Sequence, residues 1–345
     1  MPTIFLIILL IAAYLIQRWS MDNAIKGVAF TSRATRTLAA PNERFELITS
    51  LANSGWRFIP FVQMSEIMPA HTQIHARSAV TAQGDRASEL KHVSKVYLMP
   101  RSTLVRRVPV SLPQRGRHLF SGAVLRGGDF LGLEESYTTF AGFNEVVVYP
   151  EAAEDDYLAK VLGGFIGDQS VRRFIFEDPV LTVGYNEYTG REPMKAISWT
   201  ASARSGRMMV KSLDYTTEIS VSVVLSLETK SENYADLIEK SLSIAHQVCL
   251  SLERRKIKYD FFSNIVSTGA VGKWKYVSEG LGKGHLRGIL EGLGRAAYDA
   301  DEPFSALAER AKKQQKEDRS IIYIVPDGEV AATDRDLVIR AERMK

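Results

Sequence analysis

Chemistry in a chain of 345 residues needs reactive side chains at workable spacings, and few are found here. The histidines are His71, His75, His92, His118, His246 and His285, and they form neither an HExxH pair nor another ligand set. His71 and His75 are four apart, but their surroundings read as strand, where that spacing does not bring two side chains together as it does on a helix. Ser202 and Ser205 have no identifiable base, and no G-x-S-x-G elbow occurs. Cys249 is the single thiol, too few for an internal disulfide or a thiolate zinc cage, and it reads as a small core residue. Glu151, Glu154, Asp155 and Asp156 read as a solvated helix start, favoured by the helix dipole.

Two glycine runs could cradle a phosphate, Gly280-x-Gly282-x-Gly284 and Gly269 to Lys273. A P-loop requires G-x-x-x-x-G-K-[ST], and neither run has both the spacing and the hydroxyl residue. They read as loop glycines that set up helix starts. The expectation is a protein with no catalytic residues, no cofactor, no metal and no small-molecule substrate. The alternative is an envelope hydrolase built on a carboxylate or serine constellation that no motif reveals.

The elements that would position any site change period along the chain. Residues 24–150 read as short strands with turn punctuation, as in Arg44 to Asn53 and Glu145 to Pro150, which predicts a β-sandwich. From Ile219 strands alternate with helical stripes: Tyr234 to Arg254, then Lys258 to Ser263, the stripe Leu286 to Ala297, and Ser320 to Val325. This alternation predicts an α/β domain with a mostly parallel sheet over residues 214–345, joined through 151–213. Asp334 to Met344 reads as a final helix. Before all of this, Ile4 to Ile16 is uninterrupted apolar sequence closed by Gln17, Arg18 and Trp19, an interfacial set of anchors. The expectation is a membrane helix over 1–20 that meets lipid, with the soluble domains in the cytoplasm because Arg18, Lys26, Arg33 and Arg36 all follow the run.

Charge narrows the partners. There are 44 basic and 40 acidic residues, a net charge of +4, and the surplus is scattered. Nucleic-acid binding needs a concentrated basic face, so it is excluded as an expectation.

The segment Ile197 to Lys211, ISWTASARSGRMMVK, has Trp199, Ala201, Ser202, Ala203, Arg204 and Gly206 in a distinctive order. It resembles the core signature of the bacterial domain of unknown function 58 family. Gly128-Asp129-Phe130-Leu131-Gly132-Leu133 is similar to a second family stretch, without its proline, and reads as a tight turn in which Asp129 binds nearby amides. The resemblance covers roughly residues 25 to 325. It implies a von Willebrand factor A-like second half, and partnership with a MoxR-type AAA+ ATPase. That fold often holds a divalent cation after its first strand, but here the place reads Leu227-Glu228-Thr229-Lys230-Ser231, with leucine where a hard cation needs oxygen.

Two roles are open to the signature. Trp199, Ser202, Arg204 and Gly206 could clasp the two domains together, in which case losing a buried Trp199 would cost about 3–5 kcal/mol. Arg204, Arg207 and Lys211 could instead form a docking patch for an acidic partner. The sequence reading is a membrane-tethered, non-enzymatic adaptor or assembly factor.

Overall fold

The computed structural model describes residues 27–76, 80–83, 88–128, 135–173, 182–213, 220–269, 274–314 and 319–344, together with Ile11. The chain divides into two compact units, residues 1–151 with 290–296, and 152–289 with 297–345.

The first unit is built from ten strands: β1 (Val28–Ala34), β2 (Leu38–Ala39), β3 (Phe45–Asn53), β4 (Ile59–Pro69), β5 (Gln73–Ile74), β6 (Val80–Gln83), β7 (Glu89–Leu98), β8 (Thr103–Ser111), β9 (Gly116–Gly128) and β10 (Glu135–Val148). They form a four-stranded sheet, β1-β3-β8-β5, and a six-stranded sheet, β2-β10-β9-β4-β7-β6. Alternation along β3 explains the packing. Phe45, Leu47, Thr49, Leu51 and Asn53 are buried while the residues between them are half-exposed. The inward faces of both sheets meet in two apolar clusters. Phe45, Leu47, Met68, Val108, Val110 and Phe120 belong to one, and Leu51, Val62, Met64, Leu98 and Leu125 to the other. The 14-residue β10 bends at a register shift opposite Gly122, where an added Cβ would lie 2.1 Å from the Phe140 carbonyl oxygen.

The second unit runs α1 (Asp156–Arg173), β11 (Thr182–Glu187), α2 (Trp199–Ser205), β12 (Met209–Leu213), β13 (Ser220–Leu225), α3 (Tyr234–Arg254), β14 (Lys258–Ser263), β15 (Ile265–Ser267), β16 (Tyr276–Gly280), α4 (Lys283–Arg295), β17 (Ala296–Ala300), α5 (Phe304–Gln314), β18 (Ser320–Val325) and β19 (Leu337–Arg340). The last turn of α4 and the first residue of β17 group with the first unit. The main sheet has the order β16-β14-β13-β18-β19. Its central strands are buried on both faces, with Ser222 the buried polar exception within β13.

Three sequence expectations are corrected. The von Willebrand A-like parallel sheet is not found: the main sheet is mixed, with β16 antiparallel to β14, and the described residues hold more strand than helix. The physical reason is the connection, because the 12 residues between β14 and β16 include the strand β15 and, among the described residues, no helix. A parallel crossover of a dozen or more residues is usually made by a helix, and without one the chain returns antiparallel. Residues 334–344 are not a helix either; Leu337–Arg340 is an edge strand paired with β18, followed by a single 3-10 turn.

The single-pass membrane location is the third correction. Among the described residues no helix is long and apolar enough to cross a membrane. The expected anchor over 1–20 lies outside the described residues apart from Ile11. Its apolar run, Ile4 to Ile16, would in any case span only about 20 Å of helix against a hydrocarbon core of about 30 Å.

Candidate functional site

The signature segment is an excursion between β11 and β12, which pair antiparallel from Thr182↔Leu213 to Glu187↔Met209. Ile197 bridges Val210, and these two with Ser198 are its buried anchors. Helix α2 starts at Ser198, whose hydroxyl accepts from the Ala201 amide at 3.4 Å. It stops at Gly206, in the left-handed region at φ 67°, whose amide donates to the Ser202 carbonyl at 3.0 Å. Ser202 ties the helix to the ribbon. Its hydroxyl donates to the Ser198 carbonyl at 2.8 Å and accepts from the Met209 amide at 2.8 Å. Ser205 donates to the Ala201 carbonyl at 3.0 Å. Both hydroxyl protons therefore sit on main-chain oxygens rather than on a base.

What the excursion presents is its other face. Trp199 is 66% exposed, so the cost expected from burying it does not apply. Arg204, Arg207 and Lys211 are also exposed. Arg207 makes a loose pair with Glu187 at 3.5 Å, both side chains well solvated. Met194 and Met208 add exposed apolar surface. Residues 182–213 carry five basic side chains, Arg191, Lys195, Arg204, Arg207 and Lys211, against Glu187 and Glu192. Glu192 closes a turn, accepting from the Thr189 hydroxyl at 2.8 Å and its amide at 3.0 Å, and these bonds hold its carboxyl below the usual range.

The other sequence candidates fall in separate places. Gly128 ends β9, whereas Asp129 and Gly132 lie outside the described residues. Leu227 is buried after β13, beside an open cleft of about 380 Å³ lined in part by Glu228, Thr229, Tyr234, Tyr298 and Asp301. The polar groups there serve the fold. Glu228 accepts from the Phe304 amide that opens α5, Thr229 donates to Asp327, and the Leu227 amide donates to buried Asn264. Among the described residues no three His, Cys, Asp or Glu side chains are grouped to hold a metal ion. The Gly282 amide, at φ 106°, donates to both oxygens of Glu253 at 3.0 and 2.9 Å, so an internal carboxylate occupies the place a phosphate would take.

Sequence reasoning missed two buried charge clusters. In the sandwich, Thr49, Glu66, His92 and Arg106 come from four strands to the level between the two apolar clusters. Thr49 donates to Glu66, and Arg106 reaches Ser94 and His92. In the second unit Arg319 reaches Asp260, Glu279 and Ser220. The signal for the first was available: Glu66 holds an inward position between Met64 and Met68, where alternation demands an apolar residue.

No family model matches the chain, and no curated protein matches it. Solved structures with partial likeness include a CARDB domain from Pyrococcus furiosus, at 14% identity over 36% of this chain and 94% of that one, with a TM-score of 0.22. A non-cellulosomal cohesin from Archaeoglobus fulgidus gives 10% identity over 34% and 90%, TM-score 0.22. A type II cohesin domain from the cellulosome of Acetivibrio cellulolyticus gives 13% over 35% and 95%, TM-score 0.24. Likenesses this slight decide neither the fold nor the activity of this chain.

Proposed function

We propose that this chain is a non-enzymatic adaptor that docks an acidic protein partner on the β11–α2–β12 excursion, and that the partner is a MoxR-type AAA+ ATPase. The observation that carries the reading is the exposure of Trp199 on a helix fixed at both ends. A large aromatic left in water on a rigid element, flanked by arginines, has the composition of an interaction hot spot. The engagement of Ser202 and Ser205 with main-chain oxygens supports an adaptor over a serine hydrolase. The identity of the partner rests on the family resemblance of the signature.

The test is a binding titration of the full chain against the MoxR-type ATPase of the same organism. Arg207→Glu and Trp199→Ala are each expected to weaken binding by about tenfold or more. The Arg207 effect is expected to shrink as salt rises, since exposed charges are screened over about 10 Å at 0.1 M. Wild-type affinity in both variants at low salt overturns the docking site, and absence of binding by the unmodified chain overturns the partner.

A further inference from the structure

At one end of the sandwich, the loop from β3 to β4 and the loop from β7 to β8 are locked together by Asn53. This residue is 3% exposed, and its Nδ2 donates to the carbonyls of Arg57 at 2.7 Å and Met99 at 2.9 Å. Its Oδ1 accepts from the Gly55 amide at 3.0 Å. The Asn53 amide donates to Ser102, and the Arg101 amide to Gly55. Arg101 itself is held at φ 49°, a left-handed conformation that costs a non-glycine residue energy and persists only where its surroundings enforce it.

This fixed frame presents aromatic surface to water. Trp56 is 74% exposed, Tyr97 61%, Met99 51% and Phe58 47%. The Arg101 guanidinium lies 3.5 Å over the Trp56 ring, the Phe58 and Tyr97 rings are 6.3 Å apart, and Lys95 stands over Phe61. Segments 53–63 and 94–104 carry Arg57, Lys95 and Arg101 and no Asp or Glu.

We propose that this tip is a pre-organised docking surface for an acidic protein segment that sets a carboxylate on Arg101 and an apolar side chain on the Phe58–Tyr97 pair. A guanidinium whose carbon lies over an indole ring still has N–H donors to offer a bidentate carboxylate. The cations attract an anionic partner, and the aromatic, methionine and arginine composition is that of protein interfaces. Because hydrogen bonds already fix both loops, binding orders little of this surface. A lipid surface is the less fitting occupant, since the Arg101 guanidinium over one face of the Trp56 ring would have to enter the acyl chains with it. The tip shares no residue with the α2 excursion, so this inference does not rest on the proposed function.

The test is selection of a phage-displayed random 12-residue peptide library on the immobilised full chain, with the Trp56→Ala chain as counter-target. Enriched peptides are expected to combine Asp or Glu with an aromatic or aliphatic residue. Their dissociation constants are expected to rise about tenfold or more in Trp56→Ala and in Tyr97→Ala, both exposed positions that leave the urea midpoint unchanged. Arg207→Glu leaves this binding unaltered. Enrichment without acidic residues, wild-type affinity in both variants, or no peptide that discriminates the chain from its counter-target overturns the proposal. So does loss in Arg207→Glu alone, which would move the peptide to α2. Co-sedimentation with phosphatidylglycerol vesicles that Trp56→Ala abolishes, without peptide binding, assigns the tip to lipid and overturns it as well.

Discussion

The two units each bury a charged cluster, and the two are finished differently. In the second unit all three guanidinium nitrogens of Arg319 are engaged, with Ser220, Asp260 and Glu279, and the Arg319 and Asp260 side chains are each 3% exposed. In the sandwich, Glu66 is bonded to neutral Thr49, while Arg106 is spent on Ser94 and His92. Glu66 Oε2 and His92 Nδ1 have no hydrogen-bond partner, and neither does Asp260 Oδ1 in the second unit. One cluster joins opposite charges by direct contact. The other sets its carboxylate against a neutral hydroxyl, and desolvation shifts protonation in both, pushing the Glu66 and Asp260 carboxyls up and the His92 imidazole down. A buried carboxyl therefore has a contact guanidinium in one unit and a neutral hydroxyl in the other, and mutation separates them.

The largest effect is expected from Arg319→Ala. It strands Asp260 without its counter-charge, and urea denaturation should show a loss of about 3–5 kcal/mol. Arg106→Ala removes bonds to Ser94 and His92 but no contact ion pair, so about 1–3 kcal/mol is expected. Equal losses would erase the distinction between the clusters.

The sandwich cluster is expected to titrate. The folded chain holds the Glu66 proton more tightly than the unfolded chain, so this stabilisation is full below the ordinary value of 4.5 and is lost as pH rises through the folded value. His92 has the opposite sign. The unfolded chain binds its proton more tightly, so stability falls as pH drops below 6.5 toward the lowered folded value. Glu66→Gln should therefore gain on wild type as pH rises, and His92→Gln should gain as it falls, in urea midpoints taken from about pH 4 to 8. A constant offset for either variant would show that its group binds its proton equally in the folded and unfolded chains.

Smaller still, Ser202→Ala should cost about 1–2 kcal/mol locally, by leaving the Met209 amide without its acceptor. Faster hydrogen exchange at Met209, without a comparable change on β13, is the measurement. Arg207→Glu should change stability by no more than about 0.5 kcal/mol, because both members of its pair are solvated.

Much of the local structure could be read from residue order. The stripe from Tyr234 to Arg254 is α3, and the aromatic run Lys258 to Ser263 and the β-branched run Ser320 to Val325 are strands over those residues. Their signals are periodic, and period is a local property. The errors came where distant partners decide. Leu337-Val-Ile-Arg lies among charges and is apolar enough for either state, and only pairing with β18 makes it a strand. Trp199 was weighed as a core residue on size alone, yet Ile197, Ser198 and Val210 supply the buried anchors and the tryptophan, first on α2, is left facing water. The Trp56 tip stayed hidden because Asn53-Ser54-Gly55 reads as turn punctuation, and nothing in that stretch announces a bond to Met99.

That bond joins residues 46 positions apart in the chain. The tip therefore cannot assemble from local sequence, since β3, β4, β7 and β8 must all be in place before Asn53 meets both carbonyls. A partner that recognises the tip would discriminate against nascent or damaged chains without any separate sensor. Its binding energy would also add to the folded state alone, raising the apparent stability of the sandwich with partner concentration. Occupancy would thus act as a proofreading step on folding.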